Sequence, residues 1–223
     1  MSKNILVTGA TGNLGSVVVK KLQQQGYHII ATTRKEKTQD GIDFFQCELD
    51  QESSVKTCFD QIRSKYDQLH ATVMLAGGFG MGNIRESNEP DLDKMFQMNF
   101  KTAYFTAQQS ILWMNETGGG KLIFTGAKPA LEGGGAAVLP YALSKNAVVK
   151  LAEAINEDDQ NKNIQASVIV PSIIDTPPNR EAMPDANFAD WVTPEEIADQ
   201  IEFLILDLSK PLRDTVLKIY KNS

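Results

Sequence analysis

The sequence predicts an α/β fold: a doubly wound parallel sheet of about seven strands with helices on both faces. Three observations point there. Short apolar runs such as 4–8 and 164–170 read as strands buried on both faces. Between such runs lie segments with apolar residues at helical spacing, as in Leu14, Val17, Val18 and Leu22. Regular alternation of the two implies parallel strands joined by right-handed crossovers.

Taken in order, residues 4–8 form the first strand, a glycine-punctuated turn follows, and a helix begins near Asn13. Gly26 stands where a C-terminal cap is expected, and 27–32 reads as the second strand. Then come a strand at 42–47, a helix near 52–66, a strand at 71–75, and a Gly-rich loop at 77–83. A long helix of roughly 92–114, a strand at 121–125 and a glycine loop at 133–135 come next. A helix at 141–155 and a strand at 164–170 lead into an irregular, proline-rich stretch at 171–192. Thr193-Pro194-Glu195-Glu196 reads as a capping box with Pro at the first helical position, opening the last helix. A strand at 215–220 completes the set. No repeat, low-complexity tract or linker interrupts the pattern, so 1–223 reads as a single domain.

Composition narrows the function classes. Of 223 residues, 22 are Lys or Arg and 28 are Asp or Glu, for a net charge of −6. Nucleic acid and anionic membrane surfaces both require a basic footprint and are not expected partners. A local basic cluster remains compatible with a phosphate. No apolar run reaches the roughly 18 residues of a membrane span, and Met1-Ser2-Lys3-Asn4 leads directly into a strand. A soluble, cytoplasmic protein is expected. The two cysteines, Cys47 and Cys58, match neither a zinc nor a CxxC spacing and read as reduced, partly buried thiols. With only His28 and His70, no HExxH and no GxSxG, no metal site is expected. Acid–base chemistry near neutral pH then falls to Tyr, Lys or carboxylates.

Thr8-Gly9-Ala10-Thr11-Gly12-Asn13-Leu14-Gly15 joins the first strand to the first helix. Glycines in that frame permit a tight turn, close approach of a pyrophosphate, and packing of helix on strand, the arrangement of a Rossmann fold. The helix N-terminus then offers N–H groups and a positive dipole end to phosphates. An acid at the end of the second strand would favour NADH; here stand Thr32-Thr33-Arg34-Lys35. A hydroxyl with two cations suits a 2′-phosphate, so NADPH is the expected cofactor and NADH the lesser alternative. Farther on, Tyr141 and Lys145 lie one helical turn apart and share a face. An ammonium beside a phenol lowers the phenol's pKa and makes it a usable proton donor.

These residues together resemble the short-chain dehydrogenases/reductases along essentially the whole chain. The likeness rests on Gly9, Gly12 and Gly15, on Leu75-Ala76-Gly77-Gly78, on Asn99, on Tyr141 and Lys145, and on Pro171-Ser172-Ile173-Ile174-Asp175-Thr176. It implies that Tyr141 is the proton donor and that Lys145 binds the nicotinamide ribose. It further implies that Asn99 holds a water or a backbone kink behind the lysine. Thr11, Asn13 and Leu14 would complete the phosphate turn, with Thr33, Arg34 and Lys35 at the adenosine ribose. Glu48 and Leu49 would flank adenine, with Ala76, Gly77 and Gly78 along the dinucleotide. Pro171, Ile173, Ile174 and Thr176 would meet the nicotinamide end.

Two departures stand out. The middle glycine is Gly12, where the commonest family turn has it one position later. The family's substrate-polarising serine should fall within Thr125-Gly126-Ala127-Lys128, and none is there. Thr125 has a hydroxyl, one or two positions early, and Ala127 would face the substrate instead. Three irregular segments resemble the quinonoid dihydropteridine reductase subfamily, which also lacks that serine. They are Gly126 to Gly133, Ala76 to Asn83, and Asp175 to Arg180 with Met183-Pro184 and Phe188 to Trp191. Animal members of that subfamily differ in carrying an acid in place of Thr33 and no Asn in place of Asn99. Phe79, Met81 and Trp191 are candidate walls of an aromatic-binding cleft, with 171–192 as the substrate loop. The expected activity is reduction of a quinonoid dihydropterin or similar conjugated ring. A reductase of simple ketones or quinones using Thr125, and a non-catalytic NADPH sensor, are the alternatives. The resemblance also implies a homodimer or tetramer pairing the helices at 92–114 and 141–155. Met95, Phe96, Tyr104, Phe105 and Trp113 give the first of these more apolar surface than one sheet face needs.

Overall fold

Every strand among the described residues pairs in parallel. The structure is a computed structural model describing residues 2–161, 163–212 and 216–223. In chain order the strands are β1 (Asn4–Thr8), β2 (His28–Thr33), β3 (Ile42–Gln46), β4 (Ala71–Met74), β5 (Gly120–Thr125), β6 (Ile164–Pro171) and β7 (Val216–Ile219). They form one sheet in the order β3-β2-β1-β4-β5-β6-β7. The helices are α1 (Asn13–Gln24), α2 (Glu52–Arg63), α3 (Glu89–Met95), α4 (Thr102–Thr117), α5 (Leu139–Glu157), α6 (Pro177–Ala182) and α7 (Pro194–Ile205).

The apolar strands are buried because helices cover both faces. Alternate residues divide between two cores: Leu6 and Ile30 pack with α2, α4 and α5, whereas Ile5, Val7 and Ile29 pack with α1 and α7. Strand order reverses between β1 and β4, which opens a crevice at the carboxyl ends of the strands. Both histidines lie at the other end of the sheet. His70 Nδ1 accepts from the Asn4 N–H at 3.0 Å, and His28 Nε2 lies 3.0 Å from both Asp43 Oδ2 and Tyr66 Oη.

The doubly wound sheet agrees with the expected fold, and three elements depart from expectation. The long helix begins at Glu89, three residues before Leu92, because Asn88 and Asp91 form a reciprocal capping box with Pro90 in the first turn. Its middle, Phe96–Lys101, is a π-helical segment rather than a continuous α-helix. The stretch 171–192 is not irregular throughout. It carries α6 and a 3₁₀ turn at Phe188–Asp190, and Ile174 pairs with Val192 to close it into a loop. The capping box at Thr193 and Glu196 forms as expected. Of the strand expected at 215–220, Thr215 lies outside the described residues.

Candidate active site

Gly9 takes a φ of 69°, and a Cβ there would fall 2.7 Å from the Ala76 backbone nitrogen. A Cβ on Gly15 would stand 2.0 Å from the Gly9 carbonyl oxygen. These two glycines let α1 start hard against the end of β1. Gly12 has an ordinary φ of −77° and is the N-cap of α1, with no side chain capping the helix and no acid in its first turn. The exposed N–H groups and positive dipole end of α1 are therefore free of an internal anion.

A cleft of about 820 Å³ opens from this turn along the ends of β1, β2 and β4. Gly9, Thr11 and Gly12 form its phosphate-turn end. Thr33, Arg34 and Lys35, with Glu48 and Leu49, line the end beside β2 and β3. Ala76 and Gly77 line the side beside β4. Asn13, Leu14 and Gly15 sit just behind, in the first turn of α1. Thr32 and Leu75, from segments the sequence already points to, and Cys47, Asp50, Met98 and Thr102, for which the sequence carries no such signal, complete the lining. Thr32 is 4% exposed, and its hydroxyl has no hydrogen-bond partner. An orphaned buried hydroxyl costs free energy unless a bound group or water meets it.

Beyond Gly77, outside the cleft lining, lies Lys145, with Tyr141 one turn earlier on α5. Lys145 Nζ would be 3.3 Å from a Cβ on Gly77, and it donates to the Thr125 carbonyl at 2.9 Å. Asn99 lies in the π-helical segment, 1% exposed. Its Oδ1 accepts from the Gly78 N–H at 2.9 Å, and its Nδ2 donates to Ser144 Oγ at 3.1 Å. Ser144 Oγ in turn donates to the Tyr141 carbonyl at 2.8 Å. One chain of bonds thus ties the loop after β4, the long helix and the first turn of α5. Phe79 is exposed and meets Tyr141 edge to face, with ring centroids 5.1 Å apart.

Residues 3–187 match the short chain dehydrogenase family. The chain belongs to that family. A dihydropteridine reductase from Dictyostelium discoideum is 29% identical over all of this chain and 96% of its own. A gluconate 5-dehydrogenase from Burkholderia cenocepacia, solved with NADP and tartrate, superposes with a TM-score of 0.90 at 20% identity, covering 99% of this chain and 94% of its own. ElxO, solved with NADP, gives 0.89 at 22% identity over 98% and 97%. These two superpositions show a shared fold, and family membership makes the chain a short-chain oxidoreductase.

Three expectations for this short-chain dehydrogenase need correction. Lys145 does not lower the Tyr141 pKa in this structure. Burial governs both groups, pushing the phenol up to about 12 and the ammonium down to about 8. Thr125 is no makeshift donor, because its Oγ1 donates to the Met74 carbonyl at 3.0 Å and holds β5 to the end of β4. Trp191 does not wall a cleft. It is 2% exposed and packs on Phe188 at 4.8 Å beneath the loop, an anchor rather than a contact surface.

The remaining sequence-predicted sites do not line this cleft. Ala127 is buried directly after β5, Pro171 ends β6, and Thr176 is buried at the start of α6. Ile173 and Ile174 are half-buried and fixed by backbone pairing, the Ile173 carbonyl accepting from the Val192 N–H at 2.9 Å. Met81 is exposed, beside Gly82, whose N–H donates to the Ala137 carbonyl and whose C=O accepts from Leu139, the first residue of α5. Met95 and Trp113 are buried in the protein's own core and belong to no second face. Tyr104 remains exposed, with Phe96 and Phe105 half-buried. Among the described residues no helix is long and apolar enough to cross a membrane.

Proposed function

We propose that the protein is an NADPH-dependent reductase of a quinonoid dihydropterin or a similarly conjugated, electron-poor ring. The observation that carries this reading is the single proton donor. Tyr141 stands one helical turn from Lys145 on α5 and against exposed Phe79, while the hydroxyl of Thr125 is committed to a backbone carbonyl and Ala127 has none to offer. A simple ketone needs a second donor to stabilise the developing oxyanion. A conjugated, electron-poor ring spreads that charge over its own atoms. The full-length likeness to a dihydropteridine reductase supports the same choice.

The residues present fit a dinucleotide phosphate. The uncapped N-terminus of α1 suits the pyrophosphate, Thr32 lines the cleft with a buried, unpartnered hydroxyl, and Thr33 with exposed Arg34 and Lys35 suits a 2′-phosphate. Bound NADPH supplies hydride. Burial keeps the Tyr141 phenol protonated at neutral pH, ready to give its proton to the substrate. Lys145, fixed by Thr125, contributes a positive charge near Gly77 that falls away as pH rises past about 8. Asn99 and Ser144 hold the backbone that carries the tyrosine. Phe79, and Met81 on the same loop, offer an apolar face to a flat ring. The aromatic row of half-buried Phe96, Phe100 and Phe105 with exposed Tyr104 supports assembly with a second copy along the long helix, tested by light scattering.

The test is NADPH oxidation against quinonoid dihydropterin, simple quinones, ketones and aldehydes, with Tyr141→Phe as control. Turnover of the pterin, slowed by about 10²-fold or more in the variant, is expected. Equal rates in both proteins would remove Tyr141 from the proton step. Turnover confined to simple ketones would refute the substrate class, and NADPH binding without turnover of any acceptor would indicate a sensor.

A further inference from the structure

Residues 171–192 are braced from within. The Val192 N–H donates to the Ile173 carbonyl, and the Val192 carbonyl accepts from the Asp175 N–H at 2.8 Å, which closes the neck of the loop. Arg180 grips the Asp175 carboxylate through two bonds of 2.6 and 2.8 Å. Its guanidinium lies 4.7 Å from the centre of the Phe188 ring, which packs in turn on Trp191. A loop braced this way keeps its shape, so its place is decided by what holds its base.

The end of β7 and the residues after it supply that hold. The Ser172 N–H donates to the Ile219 carbonyl at 3.2 Å, and Ser172 Oγ lies 2.8 Å from Ser223 Oγ. At the far end of the loop, Asn222 Nδ2 donates to Asp190 Oδ1 at 3.2 Å. The same stretch also holds the segment between β5 and α5. The half-buried Lys128 ammonium donates to the Ser223 carbonyl at 2.7 Å and sits 5.1 Å from the centre of the Tyr220 ring. Lys218 pairs with Glu132 on that segment.

We propose that Lys128 is a positioning residue: through residues 219–223 it locks the segment after β5 to the 171–192 loop and thereby fixes the substrate side of the site. The clasp rests on these contacts alone, and its effect on substrate rests on the function proposed above.

The chemistry of the joint favours this role. An ammonium set between a carbonyl and an aromatic face makes two charge-assisted contacts, which hold better than an exposed ion pair. Lys128 directly follows Ala127, and its segment leads into the helix that carries Tyr141. Lys128 does not line the dinucleotide cleft. Loosening the clasp should therefore weaken capture of the substrate, while cofactor binding and the proton donor stay as they are.

The experiment compares wild type with Lys128→Met, which keeps the apolar stem, and with Lys128→Arg, which keeps the cation. Hydrogen exchange read by mass spectrometry reports the clasp, NADPH fluorescence reports the cleft, and steady-state kinetics with quinonoid dihydropterin report the site. In Lys128→Met, exchange within 172–175 and 188–192 should speed up about ten-fold, the equilibrium factor of one charge-assisted hydrogen bond. KM for the pterin should rise about five-fold, with kcat within about two-fold and NADPH affinity unchanged. Lys128→Arg should restore both. Asn222→Ala, at an exposed position, should speed exchange at 188–192 alone. Unchanged exchange in Lys128→Met would overturn the clasp. Faster exchange with unaltered KM would overturn the positioning role, as would parallel losses in KM, kcat and NADPH affinity. Wild-type protein that turns over no pterin would fail the proposed function instead, and exchange would still decide the clasp.

Discussion

Replacing Lys145 with methionine should change how stability depends on pH, by an amount the structure fixes. Lys145 is 6% exposed, and burial brings its pKa from 10.5 to about 8. The unfolded chain holds this proton more tightly than the folded one, so stability rises with pH between about 8 and 10.5. Below that window both states are charged and the full penalty opposes folding. At about 1.4 kcal/mol per pH unit, that penalty is about 3 kcal/mol, of which about 2 kcal/mol is relieved between pH 7.5 and 9.5. Lys145→Met retains the apolar stem and removes the titration. Urea unfolding of both proteins at pH 7.5, 8.5 and 9.5 should therefore show wild type gaining about 2 kcal/mol on the variant across the series. Subtraction cancels the other titrating groups. Tyr141, raised from 10.0 to about 12, acts in the opposite sense and only above this range. A difference flat to within about 0.5 kcal/mol would refute the claim that Lys145 is a desolvated ammonium.

Other outcomes follow from the cleft. Gly15→Ala places its Cβ 2.0 Å from the Gly9 carbonyl and should cost about 1–3 kcal/mol in thermal unfolding along with NADPH binding. Unchanged melting would contradict the close contact of α1 with the turn. Arg34→Ala with Lys35→Ala should weaken NADPH by about tenfold or more while leaving NADH nearly unaffected, as read by fluorescence titration of both. Equal losses for the two cofactors would remove the 2′-phosphate assignment. Ala127→Ser should raise kcat/KM for simple ketones by supplying the missing hydroxyl, and no gain would mean that the site does not lack a donor there.

Most of the fold was legible because it is written in local signals. The glycine turn, the Thr193 capping box and the doubly buried strands each need only a few adjacent residues. The early start of the long helix is equally local, in Asn88, Pro90 and Asp91, although the apolar period begins only at Leu92. The π-helical segment has no comparable signature. It reflects how Asn99 must reach both Gly78 and Ser144, contacts separated by 21 and 45 positions. A cleft-lining position for Thr32 and Cys47 is illegible in the sequence for a related reason. Each looks like an ordinary strand or strand-end residue until β2, β3 and α2 are assembled. Trp191 was misread because an aromatic in a loop has the same sequence appearance whether it faces a ligand or, as here, packs on Phe188.

Thr125 shows how one unreadable contact redirects a functional argument. In sequence its hydroxyl lies close enough to the missing serine to serve as a substitute donor. Registry decides otherwise: Phe124 pairs with Met74, so the next residue of β5 stands over the Met74 carbonyl and donates to it. The Thr125 carbonyl meanwhile accepts from Lys145, so both polar groups of this residue hold the site together. Releasing the hydroxyl for substrate would break a strand contact and leave a carbonyl without that partner. Thr125 is thus a positioning residue, and on the proposed reading proton donation falls to Tyr141. Under that proposal, the acceptors such a site would suit are those whose own conjugation disperses charge.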